Sequence, residues 1–153
     1  MTTTDQAGAV LPEEVLIVQR ILDEGFATGD GRVIDEVCSP DIVEHQFGLA
    51  ATGAEAREHL KAAIRDVHRT CPDIRYTIED HAIRDDVVWV RVRAVGVATG
   101  PFFGPPTNRP VDFTVIDVCR IKDGRIVEHW GVPDRFAMLA QTGVLERLAP
   151  MPG

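Results

Sequence analysis

The chain predicts an α+β domain in which a curved antiparallel sheet wraps around N-terminal helices. Three observations carry that reading. Apolar residues recur at helical spacing as far as Thr70. Beyond Cys71-Pro72 they alternate at strand spacing. The strand-like segments are joined by short turns, which favours antiparallel neighbours over parallel crossovers.

After Pro12, the residues Val15, Leu16, Val18, Ile21, Leu22 and Phe26 form a helical stripe that Gly29 ends, so a helix is expected over 13–28. Gly31 to Val37 reads as a short second helix closed by Ser39-Pro40. Ile42, Val43 and Phe47 mark a brief strand around Glu44 and His45. Gly53 to Thr70 places Leu60, Ile64 and Val67 on one stripe of a third helix. Strands are expected over Ile74 to Ile83, Val87 to Val97, Val111 to Ile121 and Arg125 to Trp130. Thr99 to Pro110 holds two glycines and four prolines and reads as a loop. Pro133 to Gln141, with Gly143 beyond it, fits a last helix. A bent sheet closed by helices makes a cone, and the inside of a cone is a ligand pocket. The expected organisation is a flexible tail over 1–10, one domain over 11–147 and a second tail over 148–153.

With 153 residues, one domain can bury a core without staples. No apolar run approaches the roughly 18 residues that span a bilayer, so no membrane association is expected. A formal charge of −8 repels phosphate backbones, and nucleic acid is excluded as a partner. MTTTDQAGAV lacks the basic start and apolar stretch of a secretory signal, and the three cysteines, Cys38, Cys71 and Cys119, suit a reducing compartment. A cytoplasmic location is the expectation. No HExxH-type spacing, phosphate-binding loop or nucleophile elbow is present, so neither metal nor cofactor is expected.

The segment PPTNRPVDFTVIDVCRIKDGRIVEHWGVPD, followed by FAMLAQTG, resembles the SnoaL-like polyketide cyclases within the nuclear-transport-factor-type cone superfamily. The resemblance covers about residues 12 to 146. It implies a cone that dimerises through the outer face of its sheet and a cofactor-free pocket for apolar cyclic or polyketide-like substrates. Relatives close rings by intramolecular aldol condensation or hydrolyse epoxides, and many have no assigned activity. In such relatives an acidic residue stands right after the aromatic end of the last strand. Here that position is Gly131.

The hairpin register decides which polar side chains share the pocket. If Lys122-Asp123-Gly124 forms a three-residue loop, Asp117 falls opposite His129; a two-residue turn sets Asp117 against Trp130 instead. The first register is preferred, because the second buries a carboxylate without a partner. Phe113, Val115, Asp117, Cys119, Val127 and His129 then share one face, with Phe113, Val115 and Val127 as substrate contacts. Asp117 and His129 are the candidate proton-handling pair; the bland alternative is a buried pair that only holds two strands in register. Asp134 is either a further acid or the cap of the last helix. His45, alternating with Val43 and Phe47, is expected on the inner face at the pocket mouth. Arg93 either reaches into the cone to polarise a carbonyl or, with Arg91 and Trp89, belongs to the outside. Thr114, Ile116, Val118, Ile126 and Trp130 make a second apolar face, which suggests a homodimer. The readings are therefore a cofactor-free cyclase, a binding domain without chemistry, and, third, an epoxide hydrolase.

Overall fold

The computed structural model describes residues 10–148. The expected tails, apart from Val10 and Leu148, lie outside these residues. A first helix, α1 (Glu13–Arg20), runs directly into a π-helical turn over Ile21–Phe26. Val15, Val18 and Leu22 form its buried stripe. Gly25 lets this turn press close to α2 (Arg32–Val37) and α3 (Gly53–Thr70), since an added Cβ would lie 3.0 Å from Ile64 and 3.1 Å from Val33. The buried stripe of α3 is Ala56, Leu60 and Ile64, at four-residue spacing.

The strands are β1 (Cys38–Glu44), β2 (Ala51–Thr52), β3 (Arg75–Arg84), β4 (Val87–Val97), β5 (Pro110–Lys122) and β6 (Arg125–Pro133). Two short helices follow, α4 (Arg135–Gln141) and α5 (Val144–Leu148). The sheet is a single open one, ordered β2-β1-β6-β5-β4-β3. It is α+β as expected, with one difference. β1 pairs with β6 in parallel, so the sheet is mixed rather than wholly antiparallel. Strand β4 alternates cleanly, with Val88, Val90, Val92 and Ala94 buried and Trp89, Arg91, Arg93 and Val95 exposed. The main core packs α1, α2 and α3 against Val88, Val90 and Val92 of β4, Cys119 and Ile121 of β5 and Ile126 of β6.

The β5–β6 hairpin corrects both registers considered from the sequence. Lys122 pairs with Arg125, so the turn has two residues, and Asp123 and Gly124 take positive φ values of 50° and 72°. That is the type I′ geometry whose twist matches a hairpin. Ile121 then pairs with Ile126, but Arg120 pairs with Glu128. Val127 is an extra residue, a β-bulge that shifts everything beyond it by one position. Asp117 consequently lies opposite Gly131, and His129 opposite Cys119. The two-residue turn also sets Ile126 opposite Ile121, in the core at 1% exposed, which removes it from the expected outer apolar face.

Candidate active site

The concave side of the sheet and the helices enclose a cavity of about 690 Å³. Its wall is mostly apolar, with Phe26 and Leu60 from the helices, Phe113 and Val115 from β5, and Phe102 and Phe103 from the loop before β5. Asp117 and His129 lie on the β5–β6 part of this wall. Although they are not directly opposite, they are diagonal neighbours on one face, and His129 Nε2 lies 3.0 Å from Asp117 Oδ1. On the other side of the ring, Nδ1 lies 2.7 Å from Oε2 of Glu44. Glu44 is placed by the parallel β1–β6 pairing, which sets it in register with His129.

The protonation of this group follows from its partners. Both ring nitrogens face carboxylate oxygens, which only accept, so each nitrogen donates and the ring is an imidazolium. Burial on its own would push the imidazole pKa down. Hydrogen bonds and charge from Asp117 and Glu44 outweigh that and raise it to about 10. The side chain of Glu44 is fully buried, whereas those of Asp117 and His129 keep 13% and 14% exposure. Asp117 is therefore the carboxylate that meets the cavity, and Glu44 the one that anchors the ring from behind. No hydrogen bond to Asp117 Oδ2 is made among the described residues.

Further polar residues line the cavity, among them His59, Asp66 and Arg135, and two of them lie near Asp117 and His129. The Tyr76 phenol is held neutral, its pKa raised by burial and by the nearby Cys71 and Asp117, and it makes no hydrogen bond among the described residues. Gln46 follows the end of β1. The thiols of Cys38 and Cys119 also face the cavity but are driven upward by desolvation, Cys38 to about 12, which makes them poor nucleophiles. Among the described residues, no three His, Cys, Asp or Glu side chains are grouped to hold a metal ion.

The other candidates from the sequence fall elsewhere. Val127, as the bulge residue, is off the cavity wall, and Ile126 occupies the place expected for it. His45 points outward, because Ile42 and Glu44 take the inner positions of β1; it stacks on Trp130 at 4.7 Å and bonds Glu128 through Nε2 at 2.8 Å. Arg93 lies on the outer face in an ion pair with Asp112. Asp134 is exposed and caps α4, its Oδ1 accepting the Ala137 N–H at 2.9 Å, so it lies off the cavity wall. Glu44, Gln46 and Tyr76 were not singled out from the sequence. The apolar anchor Ile42, two residues before Glu44, carried the signal for the first of them.

An open curved sheet folded over helices, with an apolar cavity between them, is the ketosteroid-isomerase-like α+β fold. The chain belongs to the SnoaL-like polyketide cyclase family, whose model matches residues 16–142. Among solved structures, it is 32% identical to IdmH of Streptomyces antibioticus, a candidate polyketide cyclase, over 86% of this chain and 99% of that one, with a TM-score of 0.73. A candidate polyketide cyclase of Bacillus cereus is 27% identical over 86% of this chain and 81% of that one, with a TM-score of 0.72. A SnoaL-like protein of Jannaschia, at 24% identity over 94% of this chain and all of its own, with a TM-score of 0.73, shows the same fold. No curated protein matches the chain by sequence. Among the described residues, no helix is long and apolar enough to cross a membrane.

Proposed function

We propose that the chain is a cofactor-free enzyme of the polyketide-cyclase type, acting on an apolar, carbonyl-bearing ring compound by proton transfer at carbon. One observation carries this reading. A carboxylate with one free oxygen stands on the wall of an apolar cavity, held there by an imidazolium whose own two N–H groups are spent. His129 is thus the orienting group, and Asp117 is the base. Asp117 Oδ2 takes a proton from the carbon next to a carbonyl, leaving an enolate. The enolate carbon attacks a second carbonyl of the same molecule, forming a C–C bond. The resulting alkoxide recovers the proton from Asp117, so the aldol step needs no outside reagent.

The test uses β-tetralone, an enolisable bicyclic ketone, in deuterium oxide. The protein should accelerate exchange of its α-hydrogens above the buffer rate, and Asp117→Asn should lower that acceleration by about 10² or more. The thermal midpoint should hardly move, because asparagine keeps an oxygen for His129. Gly131, in place of the acid of the relatives, favours a second reading, a binding domain without chemistry. Binding of the ketone with no exchange above buffer would select it.

We infer, in addition, a homodimer through the outer face of the sheet. Trp89 and Val132 are 50% and 64% exposed there, and the Trp89, Val118 and Trp130 positions form one cross-strand row.

A further inference from the structure

Gly131 and Gln46 divide one volume between them. Gly131 is buried on β6, opposite Asp117. Its φ is not in the left-handed region, so backbone conformation is not the reason for a glycine there. Room is the reason. A Cβ on this residue would stand 2.0 Å from Oε1 of Gln46, 3.0 Å from Gln46 Cδ and 3.0 Å from Cε1 of His129. The Gln46 carboxamide lies across the Cα of Gly131, beside the imidazolium, in space that any larger residue would fill.

The backbone of Gln46 is fixed by the same group that fixes the ring. Its N–H donates to Glu44 Oε1 at 2.8 Å, while Glu44 Oε2 holds His129 Nδ1. The carboxamide itself reaches the cavity and makes no hydrogen bond among the described residues. A polar group is costly to desolvate without a partner, and on the wall of an apolar pocket such a group selects a ligand that supplies one. Its NH₂ complements the oxygen of a carbonyl or enolate.

We propose that Gln46 is a ligand-binding residue, its carboxamide donating to the ligand's carbonyl oxygen beside Asp117, and that Gly131 exists to admit it. The inference rests on the carbonyl-bearing ligand of the proposed function. The donor Gln46 supplies stands just beyond the end of β1 and is neutral, so it cannot release a proton at neutral pH.

Calorimetric titration with β-tetralone and with tetralin, the same bicycle without the oxygen, tests it. Gln46→Met keeps the length and removes the amide. It should weaken the ketone about five- to tenfold and leave tetralin unchanged, as expected for the loss of one hydrogen bond. An unchanged ketone-to-hydrocarbon ratio, or no binding of the ketone to the wild-type protein, overturns the proposal. A double-mutant cycle reads the shared volume independently: Gly131→Ala should lower the thermal midpoint clearly in the wild-type background and much less in Gln46→Ala. An equal drop in both backgrounds overturns it as well. The two readings fail separately. A wild-type protein that binds but does not exchange the ketone defeats the Asp117 chemistry while the affinity ratio still reports on Gln46; exchange that needs Asp117 with an unaltered ratio defeats Gln46 alone.

Discussion

His129 on β6 and His45, just past the end of β1, are joined by a backbone hydrogen bond of 2.9 Å from the His45 N–H to the His129 carbonyl, yet they serve opposite sides of the sheet. His129 turns inward and lies between Glu44 and Asp117. His45 turns outward, stacks on Trp130, and shares Glu128 with Arg120, which in turn reaches Asp86. The outer chain of charges keeps 26–38% side-chain exposure, so water can replace part of a lost partner and losing a member costs less. The inner group is closed, and each member depends on the others. The same residue types thus make a surface ladder on one face and a site on the other, and burial alone separates the two.

The comparison predicts an asymmetry between the two glutamates. Glu44→Ala leaves a buried imidazolium short of a partner and should cost about 3–5 kcal/mol in denaturant unfolding. Glu128→Ala, on the outer chain, should cost less than about 1 kcal/mol. Similar losses for the two would show that the inner group is no more closed than the outer one.

A smaller effect should appear with pH. The folded pKa of His129 is raised to about 10, above its unfolded value near 6.5. The stabilisation from its charge is therefore fully present below about 6.5 and drains away as pH rises toward 10. Urea midpoints measured across that window should fall, and should fall much less in His129→Gln, which has nothing to titrate. A wild-type midpoint that stays flat to pH 10 would contradict the charged ring.

How much of this could be read from the chain depends on the range of the forces involved. The stripe Leu60, Ile64 and Val67 and the strand spacing of Val87 to Val97 are local patterns, and they were enough to read α3 and β4. The hairpin was harder. Asp123-Gly124 signals a two-residue turn, but such a turn sets Asp117 against Trp130 unless a bulge intervenes. Val127 supplies the bulge and bears no mark in the sequence, because a bulge is fixed by the strands on either side. Asp117 and His129 were brought into contact through a diagonal rather than the direct pairing expected. Glu44 was hidden because β1 joins the sheet in parallel, a long-range pairing that no neighbouring residue announces.

On the outer face, the inferred dimer separates apolar surface from charge. Trp89→Asp places a carboxylate at the exposed β4 end of the row formed with Val118 and Trp130. Sedimentation at micromolar concentration should shift from dimer to monomer, while β-tetralone affinity stays within about twofold because the cavity lies on the other side. A wild-type protein that is already monomeric under those conditions would remove the interface.

The smallest effect belongs to Arg93, which the sequence left free to point either way. Its neighbours in β4, Val92 and Ala94, are both fully buried, so alternation puts its side chain outside, where it is 52% exposed and paired with an equally exposed Asp112. Exposed pairs gain little Coulomb energy and lose side-chain freedom in forming. Arg93→Ala should therefore shift the thermal midpoint by less than about 2 °C. It should also leave β-tetralone affinity and exchange untouched, since no atom of this residue reaches the cavity wall. A loss of ketone affinity without a loss of stability would mean that the guanidinium polarises the ligand after all, and the division of labour between the two faces would fall with it.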